Sequence, residues 1–237
     1  MNNYEFAVKL VDVAKKYKTL YVYGGIGFPL TPDMKKYCME QYSYNARRKK
    51  MIDAASADTY AFDCVGLIKA LCWGWIGDPK ATYGGAKYQS NGVPDIGADA
   101  MITKCKDIST DFKKIEVGEA VWLSGHIGVY IGGGLAVECS PKWENKVQIT
   151  ACNCIKSGYN TRMWTKHGKL PYITYIPEGD IDADGKVTAA DARLALRAAV
   201  GLENLTEAQK KAGDTDGDGK NTASDARDIL RKSVGLK

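Results

Sequence analysis

Histidine is nearly absent from this chain, with two residues, His126 and His167, in 237. Any chemistry that needs an imidazole has to use one of them, and a two-histidine zinc site would need both. No apolar run approaches the ~18 residues that span a bilayer, so no membrane insertion is expected. Runs of one charge are scarce as well. The formal net charge is +5, yet only Arg47-Arg48-Lys49-Lys50 forms a basic run, which reads as a solvated face, and no nucleic-acid partner is expected. The seven cysteines are odd in number and cannot all pair within the chain. None has Cys-x-x-Cys spacing, so Cys152-Asn-Cys154 reads as structural thiols.

What is present suits a globular protein: 45% hydrophobic, 26% charged and 10% aromatic residues. The length allows one large domain or two modest ones. Charge is unevenly divided. Residues 178–237 hold 12 acidic and 10 basic side chains, which leaves 23 basic and 16 acidic in the remainder. A basic body of that kind favours polyanions such as bacterial wall polymers.

The acidic end contains an internal repeat. Gly179 to Leu202 and Gly213 to Leu236 are identical at 16 of 24 positions at an offset of 34. Each copy places carboxylates at loop positions 1, 3, 5 and 12: Asp180, Asp182, Asp184 and Asp191, then Asp214, Asp216, Asp218 and Asp225. Gly185 and Gly219 stand at position 6, where an EF-hand-type loop turns sharply. The carbonyls of Lys186 and Lys220 suit position 7, and Thr188 and Thr222 suit position 9. An all-oxygen, mixed shell of this kind fits calcium better than magnesium, so two structural calcium ions are expected. An acidic turn that merely caps a helix explains one copy, but not two with matching glycines. Short helices are predicted over 192–200 and 226–234, and 205–212 reads as a linking helix with Thr206 as N-cap.

With Asp rather than Glu at position 12, residues 178–237 resemble a type I dockerin. The resemblance implies a module that docks onto the cohesin of a cellulosome-like scaffold, and hence a secreted or scaffold-associated protein. It also implies that the partner is read by Ala189, Ala190, Leu196 and Arg197 in the first copy and by Ala223, Ser224, Leu230 and Arg231 in the second. Pro177-Glu178-Gly179 reads as a short joint, which divides the chain into domains 1–177 and 178–237 with the modules close together.

In the N-terminal domain, Phe6, Leu10, Val13, Ala14 and Tyr17 recur at helical spacing, so 4–18 reads as an amphipathic helix. It lacks the continuous apolar region of a signal peptide. Residues 29–60 are a polar, tyrosine-rich insertion without a clear pattern. The apolar stretch 62–73 then reads as a buried helix beginning near Cys64. A cysteine at a helix N-terminus is expected to have a lowered pKa, because the unpaired N–H groups stabilise the thiolate.

Residues 126–132 and 135–140 read as a β-hairpin across a glycine turn. A three-residue loop, Gly132 to Gly134, pairs Ile131 with Leu135, Val129 with Val137 and Ile127 with Cys139, which makes one face wholly apolar. The other face then carries His126 and Glu138, with Glu138 opposite Gly128 and diagonal to His126. A two-residue loop shifts the pairing by one and turns Glu138 away from His126, and the apolar pattern argues against it. The candidate site is therefore a thiol, an imidazole and a carboxylate, the parts of a Cys-His-acid nucleophilic centre.

Phe62-Asp-Cys-Val-Gly-Leu67 resembles the nucleophile motif of the NlpC family of cell-wall cysteine peptidases, and Gly125-His-Ile-Gly-Val-Tyr-Ile-Gly132 resembles its histidine strand. Glu138 falls at the family's third catalytic position, and Tyr21 before Gly24-Gly25 matches its upstream tyrosine motif. The resemblance implies a papain-like α+β fold, an antiparallel sheet with packed helices, and hydrolysis of amide bonds in peptidoglycan stem peptides. It assigns catalysis to Cys64, His126 and Glu138, without a catalytic cofactor, and substrate contact to Tyr21. Val65 replaces the usual serine, and Glu138 stands where histidine, asparagine or glutamine is common. Asp63 is placed either to bind a substrate amine or to cap the helix. The alternatives are a CHAP-like N-acetylmuramoyl-L-alanine amidase, in which a glutamate third residue is familiar, a catalytically silent wall-binding protein, and a peptidase acting on ordinary proteins.

Other features have plainer readings. His167 lies in a polar stretch and reads as a surface or loop residue. Trp73, Trp75, Tyr83 and Tyr88 read as aromatic core before cleft. Gly132-Gly-Gly134 is a hairpin turn and not a phosphate loop, since no Gly-Lys-Ser/Thr follows.

Overall fold

The computed structural model describes residues 1–236. Its contacts divide the chain into two units, Lys9–Tyr172 and a smaller one made of Met1–Val8 with Ile173–Lys237. The first eight residues join the C-terminal unit because Asn3 donates its N–H to the Thr174 carbonyl and accepts the Ile176 N–H on its side chain. The spatial cut therefore falls at 172/173, five residues before the joint at Pro177.

The protein is a mixed α+β structure, with two sheets and nine helices among the described residues. Helix α1 (Asn3–Lys16) follows the apolar spacing, with Phe6, Leu10 and Val13 buried. Strands β1 (Thr19–Tyr21), β2 (Ile26–Pro29) and β3 (Tyr60–Phe62) form a small sheet in the order β1-β3-β2. The insertion between β2 and β3 folds as α2 (Pro32–Gln41), α3 (Ser43–Ala46) and α4 (Lys49–Ala54). Thr31 caps α2 with Pro32 as its first residue, a start signal that needs no donor from proline. The insertion is polar but sends Cys38 and Ile52 into a cluster with Val22, Phe28, Leu30 and Ala61. Those few apolar anchors are too widely spaced to show a period. Arg47, Lys49 and Lys50 of the basic run are exposed, as a solvated face requires, and Arg48 alone turns inward. Its guanidinium donates to the Tyr21 carbonyl and lies over the Tyr21 and Tyr44 rings.

All nine residues of α5 (Cys64–Cys72) are buried, and the helix packs against β2, β6 (His126–Gly132) and β7 (Leu135–Ser140). Gly66 permits this packing, since a Cβ there would stand 1.8 Å from the Gly25 carbonyl oxygen. After α6 (Ala98–Lys104) comes the large sheet, with β4 (Lys106–Ser109), β5 (Ala120–Leu123), β6, β7, β8 (Lys146–Cys152), β9 (Thr161–Arg162) and β10 (Lys166–Lys169) in the order β4-β10-β5-β6-β7-β8-β9. It is antiparallel except for the β8–β9 edge.

The β6–β7 hairpin keeps the expected register at its base and changes it at the tip. Val129 pairs with Val137 and Gly128 with Glu138, but Gly132, rather than Ile131, pairs with Leu135. The loop is thus the two residues Gly133 and Gly134, both at positive φ, and an irregularity at Ile131 absorbs the extra residue. A two-residue turn and the expected facing of Glu138 therefore coexist, because the bulge decouples tip from base.

His167 is a second correction. It lies on β10 at 2% exposure, with Nδ1 paired to Glu119 and Nε2 within 3.1 Å of the Asp111 carbonyl. Thr165 and Lys166 before it are exposed, while the imidazole packs against Phe112. Trp73 and Trp75 are core residues, as expected, and Tyr88 is exposed. The seven cysteines are all free.

The smaller unit contains α7 (Ala189–Ala199), α8 (Glu207–Gly213) and α9 (Ala223–Ser233), packed through Ile181, Ala192, Ala195, Leu205, Ala226 and Ile229. Helices α7 and α9 start three residues before the apolar pattern does, because Thr188 with Asp191 and Thr222 with Asp225 form capping boxes. Thr206 and Gln209 do the same for α8. No helix among the described residues is long and apolar enough to cross a membrane.

Candidate functional site

In the larger unit a cleft of about 810 Å³ opens over the start of α5. Cys64 lies in its wall, with Tyr21, Tyr42, Asp63, Tyr83, Tyr88 and Gly125 around it. Asp63 caps α5. One carboxylate oxygen accepts the Gly66 N–H at 2.6 Å, and the other accepts the Gly24 N–H at 2.9 Å, tying the Gly24-Gly25 turn to the helix start. Each oxygen is thus engaged by the backbone, so Asp63 fills the capping role, and it lines the cleft as well. Tyr21 is 9% exposed on the cleft wall, and burial together with the neighbouring Cys64 and Asp63 raises its pKa.

Cys64 sits at the helix N-terminus, as the sequence implies, but its thiol is not acidified. Burial and the adjacent Asp63 charge push its pKa up to about 12, outweighing the N–H groups of Ile127, Val65 and Cys64 itself. The expected lowering is overridden because the thiol is buried and the charge of Asp63 beside it is negative. The Ile127 N–H reaches the sulfur from β6, so Cys64 meets the strand one residue from His126. No direct hydrogen bond joins the thiol to the His126 ring.

His126 and Glu138 are brought together, Nε2 to Oε2 at 2.7 Å. That contact occupies Nε2 and leaves Nδ1 as the ring nitrogen able to exchange a proton elsewhere. Glu138 is fully buried. Besides His126, it accepts from Thr150 Oγ at 2.9 Å and from Arg162, Nη2 to Oε2 at 2.6 Å and Nε to both oxygens at 3.1 Å. Burial alone would raise its pKa, but hydrogen bonds and charge from His126 and Arg162 more than offset this and hold the carboxyl below its ordinary value. The Trp164 ring stacks on His126 at 5.5 Å and 10°. Gly128 makes room for that ring, since a Cβ there would lie 3.1 Å from it.

Sequence reasoning missed Arg162 and Trp164. Arg162 ends β9 and Trp164 lies in the segment between β9 and β10, a stretch with no motif and no apolar period, and only strand order brings them to the hairpin. A lone Arg and a lone Trp carry no such signal in the chain. Of the four aromatic residues considered as cleft or core, Tyr83 and Tyr88 line the cleft. Tyr88 donates to Asp95, which also pairs with Lys69 from α5.

In the smaller unit, Asp180, Asp182 and Asp184 converge, as do Asp214, Asp216 and Asp218, each set with carboxylate oxygens within 4.8 Å of one another. Gly185 and Gly219 have φ of +91° and +86°, so the sharp turn at position 6 is realised. Asp214 Oδ1 is buried without a hydrogen-bond partner, a cost that a cation would remove. Burial, with neighbouring carboxylates adding to it, raises Asp180 and Asp214. These are hard oxygen donors crowded against one another, and they fit calcium. Asp191 and Asp225 are turned to the backbone instead. Asp191 accepts from the N–H groups of Ile181, Asp182 and Thr188, and Asp225 from those of Thr215 and Thr222. The Thr188 and Thr222 hydroxyls donate to these same carboxylates. Position 12 is therefore a cap as well as a candidate ligand.

Leu196 and Leu230 are about half exposed at equivalent places on α7 and α9, and Val200 and Val234 are more so. A search among curated proteins found no match to the chain. The family model of the dockerin type I domain matches residues 178–232, so this part of the chain is a dockerin type I domain.

Proposed function

We propose that the protein is a peptidoglycan hydrolase of the cysteine endopeptidase type, attached through its dockerin to the cohesin of a cellulosome-like scaffold. The observation that carries the enzymatic part is the His126–Glu138 hydrogen bond beside a cleft that exposes the edge of Cys64 at a helix start. Glu138 accepts the Nε2 proton and fixes the ring, so Nδ1 is the base. A thiol with a pKa near 12 does not ionise alone at neutral pH. His126 takes its proton as the sulfur attacks the scissile carbonyl, and the thiolate forms only as an ion pair with the imidazolium. The same proton then goes to the leaving amine, and water releases the acyl group from sulfur. A cleft of about 810 Å³ accommodates a branched peptide, and its tyrosines and Asp95 supply polar contacts.

Attachment is supported by the dockerin match and by the paired exposed leucines Leu196 and Leu230. The cations hold the loops that orient α7 and α9, so calcium serves docking and not catalysis.

Purified walls and defined muropeptides, with product masses read out, test the enzymatic reading. Wild type is expected to release fragments cut within the stem peptide, and Cys64→Ala none. Full activity in Cys64→Ala removes the nucleophile assignment. Cleavage at the sugar–peptide amide transfers the site to the amidase reading, and digestion of casein but not walls to a general peptidase.

A further inference from the structure

We infer that Arg162 is the positioning residue of this site, holding the Glu138 carboxylate as an oriented anion against His126. The inference rests on the proposed Cys64–His126–Glu138 chemistry and adds a fourth residue to it. A carboxylate with no exposure has to be paired to remain charged, and Glu138 is paired by a fork, with Arg162 Nε and Nη2 both engaged. The fork matters as much as the charge. It fixes the plane of the carboxylate, so that Oε2 meets His126 Nε2 at 2.7 Å while Thr150 holds Oε1. Without it, the buried carboxylate would lose the one permanent cation paired to it, and its plane would be held only by Thr150 and His126.

Arg162 is itself built in. Its side chain is 12% exposed, and Nη2 also donates to Ser140 Oγ at 3.0 Å. Its guanidinium lies 4.5 Å from the centre of the Trp143 ring and 5.9 Å from that of Trp164, the ring that stacks on His126. Trp143 has φ of +63°, a left-handed conformation that is costly for a bulky side chain and is retained where surroundings impose it. The strained tryptophan covers the guanidinium, and Trp164 connects it to the imidazole, so Trp143, Arg162, Trp164 and His126, from β6, β9 and the loops beside them, form one stack.

The test uses the full chain with calcium, in wild type, Arg162→Gln, Arg162→Lys, Glu138→Gln and the Arg162→Gln/Glu138→Gln double variant. Muropeptide hydrolysis is expected to fall roughly 10- to 100-fold in kcat for Arg162→Gln with little change in KM, and to recover in part in Arg162→Lys. In the Glu138→Gln background, removing Arg162 should cost nothing further, a non-additivity that a merely structural arginine does not produce. Carbon NMR of the glutamate carboxyls, with Glu138 assigned by its Gln variant, should show it titrating at higher pH in Arg162→Gln. Additive losses, or a Glu138 titration that does not move, overturn the inference. If Arg162→Gln does not fold, Arg162→Lys decides: titration and kcat both as in wild type would overturn it. A wild type that cuts no wall, with the NMR shift still present, removes the peptidase reading and leaves the hold of Arg162 on Glu138 standing.

Discussion

Replacing Glu138 with glutamine separates the charge of this buried network from its shape. Glutamine is nearly isosteric and still offers His126 a carbonyl oxygen, but it leaves the Arg162 guanidinium without a carboxylate at a place where its side chain is 12% exposed. Removing one partner of a buried ion pair costs about 3–5 kcal/mol, because the remaining charge is neither paired nor solvated. For a unit the size of Lys9–Tyr172, about 2–4 °C of Tm accompanies each kcal/mol, so a fall of roughly 6–20 °C is expected. Activity should fall further, by about 10² to 10⁴ in kcat, since the imidazolium formed during attack loses its anion. Acid dependence gives an independent sign. The Glu138 pKa is lowered in the folded protein, so its contribution is present above the unfolded value near 4.5 and is lost as pH falls through the folded one. The variant should lack that part of the acid destabilisation. Thermal melts followed by near-ultraviolet circular dichroism at several pH values read both effects. A Glu138→Gln protein that melts within about 2 °C of wild type, with the same acid slope, would refute the account of Glu138 as a charged, paired group.

Three further outcomes follow from the smaller unit. Chelating calcium should melt α7–α9 and lower far-ultraviolet helicity, while wall hydrolysis by the larger unit persists. Asp214→Ala should need more calcium to regain helix than wild type, because Asp214 carries the buried oxygen without a partner. Leu196→Asp together with Leu230→Asp should weaken cohesin binding at least 100-fold by surface plasmon resonance without changing the calcium requirement, since both side chains face outward. Unchanged binding would move the docking face elsewhere on the dockerin.

Much of this protein was readable in one dimension because its determinants are local. The calcium loops are fixed-offset carboxylates around a glycine, and all their chemistry lies within twelve residues, so position 1, 3, 5 and 6 residues converge as the spacing requires. The facing of His126 and Glu138 was legible for a related reason. A hairpin has period two, and an apolar face with Val129 opposite Val137 leaves only one side for the imidazole and the carboxylate. Even there the turn escaped, since a bulge at Ile131 costs one irregular pairing and leaves no mark on the apolar pattern.

The tertiary structure decided whatever depends on who sits beside whom across strands far apart in sequence. Arg162 and Trp164 reach the His126–Glu138 pair only through the order β6-β7-β8-β9 and the segment that follows β9, and His167 is buried because β10 lies between β4 and β5. The acidity of Cys64 belongs to the same class. Its place at a helix start is local and was foreseen, but the balance between dipole and desolvation is set by the sheet packed over α5, and desolvation wins. Short-range geometry is written in spacing, whereas burial and long-range charge pairing are properties of the assembled core.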